Sequence, residues 1–197
     1  MGTATRRLSR RASLVALGLV PVSLALPPWQ ADAQIDRARA LLSRGEAVVY
    51  FRHGATTRSG IDQIDWRRSQ QRLLSELGIA QSEQIGAAFR AHGFPVGEVI
   101  ASPFARCRDM AEIAFGRAEE RTELLGLLSA SEGRDVRVHY LRQKLSAPTD
   151  GHNRVIVAHR SNIAEVAGVV LGEGDGIVVA PAGTSFELIA TLHPTEW

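Results

Sequence analysis

An α/β three-layer sandwich, with a mainly parallel central sheet, helices on both faces and a C-terminal hairpin, is the fold class this sequence predicts. Three observations predict it. Short continuous apolar runs recur at 48–51, 99–101 and 155–158. Segments with helical spacing separate them, and two strand-like runs close the chain around Pro181-Ala182-Gly183. Continuous rather than alternating apolar runs mark strands covered on both faces, which is the habit of parallel sheets in α/β domains.

Each element has its own local reason. Ile35, Ala38, Leu41 and Leu42 recur at helical spacing, so residues 35–44 read as a short amphipathic helix. Val48-Val49-Tyr50-Phe51 reads as a buried strand that delivers Arg52-His53-Gly54 at its carboxyl end. Residues 55–72 are polar, mixed in charge and poorly periodic, and read as a long loop of the kind that usually carries function. From Ser75 to His92 the residues Leu77, Ile79, Ala80, Ile85, Ala88 and Phe89 support a helix, ended by Gly93 with Pro95 beyond. Val99-Ile100-Ala101 is a short strand. Ser102-Pro103 then reads as an N-cap with proline at the first helical position, opening a helix that stops at Gly116. Residues 134–145 are helical, Val155 to Ala158 form a strand, and Ser161 caps a helix carrying Ile163, Val166, Ala167 and Val170. Ile177 to Ala180 and Ser185 to Leu192 make the hairpin.

The chain has 197 residues, 45% hydrophobic and 22% charged, which suits one globular domain. Its isoelectric point of about 9.2 suggests a nucleic-acid partner until the charge is located. Arg6, Arg7, Arg10 and Arg11 face a single acid, Asp32, in residues 1–33. Removing those four of 23 basic and one of 21 acidic residues leaves 19 against 20, a net charge of −1. The basic character therefore belongs to the N-terminus and argues for no nucleic-acid partner. That segment reads as a twin-arginine-like export signal. Ser9-Arg10-Arg11-Ala12-Ser13-Leu14 precedes an apolar stretch to Leu26, and Ala31-Asp32-Ala33 offers a small-x-small cleavage site. The expectation is a signal over 1–33 and a mature domain over 34–197. It would be handed to an export translocon, cleaved near Ala33, and left periplasmic or secreted with no stable membrane span. Cys107 is the single cysteine, so no intramolecular disulfide forms, and it reads as a small core or near-site residue. No metal-ligand spacing is present, and no cofactor is expected.

The chemistry sits at three strand-to-loop junctions: Arg52-His53-Gly54, Ser102-Pro103-Phe104-Ala105-Arg106, and Ala158-His159-Arg160-Ser161-Asn162. In a parallel sheet these carboxyl ends share one edge, where open α/β sheets bind ligands. Two arginines and two histidines would then converge beside helix N-termini that also favour an anion. An imidazole can attack phosphorus while guanidinium groups bind the equatorial oxygens.

With those residues in view, the chain resembles the histidine phosphatase superfamily, the phosphoglycerate mutase-like fold, over about residues 46 to 192. Val-Tyr-Phe-Arg52-His53-Gly54-Ala-Thr56 is similar to the signature holding the nucleophilic histidine. Ser102-Pro103-Phe-Ala-Arg106 is similar to the element whose arginine binds the phosphoryl group. Val-Ile-Val-Ala-His159 is similar to the second-histidine element, and Gln71 to Gly78 more loosely to the segment after the first loop. The resemblance implies a metal-independent phosphomonoesterase of the small exported kind. His53 would attack, Arg52, Arg106 and His159 would bind the phosphoryl oxygens, and Glu123 would be the general acid. Thr56, Arg72 and Arg58 would be secondary contacts to substrate, and Asp62 and Asp65 simple loop solvation. His159-Arg160 departs from the His-Asp of the acid phosphatase and phytase branch. The substrate implied is a small phosphorylated molecule or an envelope phosphate ester. The alternatives are a catalytically degenerate phosphate-ester binding module, a phosphomutase, and a protein-phosphohistidine phosphatase.

Overall fold

The computed structural model describes residues 28–128 and 133–197. The apolar runs form the centre of a six-stranded sheet, with β1 (Val48–Arg52), β2 (Val96–Ala101), β3 (Glu119–Glu120), β4 (Asn153–Ala158), β5 (Gly176–Pro181) and β6 (Phe186–Leu192) in the order β3-β2-β4-β1-β5-β6. β4 lies between β1 and β2 and is parallel to both, pairing Val49 with Val155 and Ile100 with Ile156. β3 extends the parallel set, while β5 and β6 add antiparallel strands on the other side of β1.

Both faces of the sheet are covered, which is why its central strands are apolar throughout. Val49, Phe51, Val155 and Val157 face a core shared with α1 (Pro28–Arg44), α2 (Glu76–Ala91) and α3 (Ala105–Phe115). Their neighbours Val48, Tyr50, Ile156 and Ala158 face the opposite core with α4 (Arg134–Ser146) and α5 (Arg160–Ala167). The period of two along each strand thus divides one run between two cores. The three-layer sandwich and its hairpin are as the sequence predicts.

Local departures have physical reasons. α1 begins at Pro28 and runs through the expected cleavage point near Ala33, longer than the helix read from 35–44. The twin-arginine-like stretch and its apolar sequel, residues 1–27, lie outside the described residues. Among the described residues no helix is long and apolar enough to cross a membrane. Ser102 does not cap α3, whose N-cap is Phe104 without a side-chain bond; its hydroxyl is engaged by His159 instead. Nor does Ser161 cap α5, which starts one residue earlier after His159; its Oγ accepts from the Leu127 amide. A hydroxyl at a strand-to-helix junction has several backbone and side-chain suitors, and burial decides among them. Ser75 does cap α2, accepting from the Gly78 amide. The loop after β1 also carries a 3-10 turn at Arg68–Gln70 and a bridge between Thr56 and Leu74.

Asn153 ties the far end of the sheet together. It is fully buried; its Oδ1 accepts from the Ala47 amide at 3.1 Å, and its Nδ2 donates to Leu42 O at 2.7 Å and Pro95 O at 2.8 Å. One side chain therefore closes the end of α1 and the entries to β1, β2 and β4. Replacing it with alanine strands the buried Ala47 amide, a loss of about 1–3 kcal/mol. It also takes one of two donors from Leu42 O and Pro95 O, which keep the amides of Gly45 and of residue 153, at about 0.5–1.5 kcal/mol each. We expect Asn153→Ala to lower unfolding stability by about 3 kcal/mol, read by urea denaturation; a loss under about 0.5 kcal/mol would refute the assignment.

Candidate active site

The parallel register brings the three junctions to one edge. His53 N donates to Ala158 O across β1 and β4, and Ser102 N donates to Val157 O across β2 and β4. The backbone after His53 is held by α2: Ser75 N donates to Ala55 O, and Gln81 Oε1 accepts from Ala55 N. Gly78 makes this approach possible, because a Cβ there would stand 2.1 Å from Ala55 O.

Arg52, His53, Arg72, Arg106 and His159 line one cleft of about 180 Å³ with Asp62, Arg160 and Ser161. The rings of His53 and His159 lie 5.7 Å apart, edge to face. His53 Nδ1 stands 2.9 Å from Gly54 O. A carbonyl only accepts, so Nδ1 carries the proton and Nε2 keeps its lone pair. His159 is fixed likewise. Its Nε2 is 2.9 Å from Ser102 Oγ, and Arg106 Nη2 points at its Nδ1 from 3.4 Å. The guanidinium donates, so His159 carries its proton on Nε2. Burial first, and the Arg106 charge second, hold both imidazoles well below the ordinary histidine value of 6.5. Both rings are therefore neutral at pH 7.

Arg106 is 3% exposed and stands 4.5 Å over the Phe104 ring. Its counter-ion is Asp62, itself 2% exposed, whose carboxylate meets Nη1 at 2.9 and 3.1 Å. Asp62 also accepts from the Arg72 amide at 2.8 Å, pinning the 55–72 loop over the cleft. Among the described residues Arg106 Nε is a buried donor without an acceptor. Glu173, in the connection from α5 to β5, plays the matching part for the other two cations, with Oε1 3.1 Å from Arg52 Nη2 and 3.2 Å from Arg72 Nη2.

The structure thus gathers His53, Arg52, Arg106, His159 and Arg72 but not the other expected residues. Thr56 accepts from Arg72 Nη2 at 2.6 Å and does not line the cleft. Arg58 is exposed and bonds Gln70 O, bracing the loop. Glu123 sits half-buried in a 3-10 turn at Thr122–Leu124, outside the lining of the cleft. Its charge reaches Tyr140 of α4, whose phenol is raised first by burial. Asp62 corrects the reading of that residue as loop solvation, since it is buried against a guanidinium. Nothing in its local sequence separates it from Asp65. Glu173 was missed as well, although the alternation Gly172-Glu173-Gly174-Asp175-Gly176 marks a tight, carboxylate-bearing turn beside a strand. Cys107 is fully buried, its thiol pushed up by burial to about 12, as expected of a packing residue. Among the described residues no three His, Cys, Asp or Glu side chains are grouped to hold a metal. An apolar groove between α2 and α3, lined by Phe89, Phe94 and Phe115, contains none of these groups.

A sequence model of the histidine phosphatase superfamily (branch 1) matches residues 48–128, a span that holds His53 and Arg106 and ends before His159. Solved structures match much more of the chain. The protein histidine phosphatase SixA complexed with tungstate superposes with a TM-score of 0.58 at 15% identity, covering 75% of this chain and 97% of that one. The chain has the histidine phosphatase fold. The protein TTHB049 from Thermus thermophilus shares it with a TM-score of 0.54 at 18% identity, over 75% of this chain and 99% of that one. A phosphoserine phosphatase mutant from Entamoeba histolytica, solved with phosphoserine, gives 0.53 at 11% identity, over 76% and 98%. No curated protein sequence matches significantly. Within this fold the cleft at the carboxyl ends of β1, β2 and β4 is where the chain's cations and neutral histidines meet.

Removing one partner of a buried ion pair strands the other, a loss of about 3–5 kcal/mol. Asp62→Ala should therefore destabilise the protein by about 3 kcal/mol, and Asp62→Asn by less, because the amide keeps one acceptor oxygen. Thermal unfolding of both variants checks this; equal and negligible shifts would mean that Asp62 is solvated after all.

Proposed function

We propose that the protein is an exported, metal-independent phosphomonoesterase that works through a phosphohistidine on His53. The observation that carries this reading is the state of His53. It is a buried, neutral imidazole with Nδ1–H bound to Gly54 O and its Nε2 lone pair unprotonated, in a cleft lined by arginines. A neutral ring is the nucleophilic form, and surrounding cations favour the phosphoryl dianion over a proton on the ring.

In the first step His53 Nε2 attacks phosphorus in line. The P–N bond forms as the P–O ester bond breaks, and the electron pair leaves on the ester oxygen. Arg106, with its unpartnered Nε, and Arg52 stabilise the charge spreading over the equatorial oxygens. His159 is proposed to bind the transferred group with its Nε2–H, exchanging the Ser102 hydroxyl for a phosphoryl oxygen. Water then attacks phospho-His53, releasing inorganic phosphate and restoring the neutral ring. Arg72 and Thr56 act through Glu173, holding the loop and Arg52. Arg58 acts through the loop alone. In this reading the leaving oxygen takes its proton from solvent rather than from Glu123. The match to a SixA structure favours a second reading, a protein-phosphohistidine substrate, whose P–N bond breaks without a strong acid. The twin-arginine-like N-terminus supports an envelope location and an envelope or small soluble ester instead.

The test is release of phosphate from a generic aryl phosphate by the full chain, with EDTA present. Wild type should turn over, and His53→Ala should lose about 1,000-fold or more in kcat. Persistent activity in that variant would remove His53 as nucleophile; phosphate binding without turnover in wild type would leave a binding module. Glu123→Gln should keep kcat within about twofold, and a large loss in a folded variant would restore Glu123 as the acid. The pH dependence has a definite sign. Because the His53 pKa is lowered, the reactive neutral form persists below pH 6.5, and kcat/KM should fall only at more acidic values. With substrate ionisation accounted for, an acidic limb at or above 6.5 would contradict a buried neutral nucleophile.

A further inference from the structure

Two features of the cleft mouth are not used by phosphoryl transfer itself. The first is apolar. Nine large hydrophobic side chains are exposed among the described residues, and four of them, Ile61, Ile64, Trp66 and Leu128, belong to the two segments that border the cleft. Ile61 and Leu128 line it directly while remaining 67% and 76% exposed. Scattered apolar residues need no explanation, but a pair at the rim of a cationic pocket gives an incoming ligand a surface to dehydrate. The second is Arg160. It lines the same cleft, is exposed, and its guanidinium has no hydrogen-bond or acidic partner among the described residues, unlike Arg52, Arg72 and Arg106. A planar guanidinium without a counter-ion is suited to stack on a ring.

A third observation concerns the leaving group. Asp62, the carboxylate in the described lining, has its oxygens engaged as acceptors by Arg106 and the Arg72 amide. It is placed to hold a cation rather than to donate a proton. With no other carboxylate in the described lining to protonate the ester oxygen, the reaction favours leaving groups that depart as stable anions. Phenols, ionising near pH ~10, do so far more readily than aliphatic alcohols.

We propose that the cleft is specific for aryl monophosphates, the phosphate esters of ring-bearing phenols. The ring lies between Ile61 and Leu128 with the Arg160 guanidinium against its face, while the phosphoryl group reaches His53 and Arg106. The inference rests on the phosphatase reading above and adds the class of leaving group to it.

Leaving-group reactivity alone would favour any aryl ester, so the test compares two aryl esters of similar reactivity and different apolar area. The full chain is assayed with 1-naphthyl phosphate, phenyl phosphate, glycerol 1-phosphate and O-phosphoserine. The proposal expects naphthyl phosphate to exceed phenyl phosphate by roughly tenfold in kcat/KM, mostly through KM, and both to exceed the aliphatic esters. Ile61→Asn/Leu128→Asn, two exposed positions where folding is verified by thermal unfolding, should abolish the naphthyl advantage over phenyl. Equal values for the two aryl esters in wild type would overturn the proposal, as would an advantage that survives in the double variant. Preference for O-phosphoserine would also overturn it and would assign Arg160 to a carboxylate instead. Phosphate release from phenyl phosphate without the naphthyl advantage leaves the phosphatase reading standing, whereas no turnover of any ester removes both.

Discussion

Arg52, Arg72 and Arg106 are held within one cleft, and their mutual repulsion is the constraint to which the surrounding structure answers. In a half-buried site water does little to screen three guanidinium groups, so carboxylates must be supplied from elsewhere in the chain. Asp62 comes from the loop after the first strand and Glu173 from the connection before the fifth. Each holds a cation by its flank rather than consuming all its donors, as the unpaired Nε of Arg106 shows. The counter-ions thus permit the arginines to be assembled without ending their capacity to bind an anion.

Burial, reinforced by the same field, sets the state of the histidines. A cationic, desolvated edge is hostile to an imidazolium, and so it stores neutral imidazole at pH values where a solvated histidine would be substantially charged. Backbone and hydroxyl partners then choose which nitrogen carries the proton. Gly54 O accepts a hydrogen bond from Nδ1–H of His53, and Ser102 Oγ accepts one from Nε2–H of His159. A hydroxyl that a sequence reading assigns to helix capping is instead used to orient a ring.

This shows what was legible in the sequence. Strands buried on both faces read as continuous apolar runs, so β1, β2 and β4 were visible, and the residues ending them could be assigned to one edge. That sufficed for Arg52, His53, Arg106 and His159. Asp62 was not legible, because the burial of a charged loop residue is decided by partners far away in the chain, 44 positions for Asp62 and Arg106. Glu173 had only its flanking glycines to mark a turn, with nothing to name its partners. Glu123 is a different case. It lies in the expected interval between elements, but in a 3-10 turn outside the described lining of the cleft. β3 escaped notice because two glutamates at a sheet edge carry no strand signature.

The strand order has a consequence for how the chain acquires its shape. The two strands that carry His53 and lead to Arg106 do not touch; each pairs with β4, which is synthesised only after β2, α3 and α4. Until then β1 has no partner strand and β2 has only the two-residue β3 on one edge, so apolar strand edges stand open during synthesis, a state prone to aggregation. Closure awaits the arrival of residues 153–158, and its long loop entropy makes it a slow, late event. Chain termination before residue 153 would leave an exposed pair of strands rather than a smaller domain.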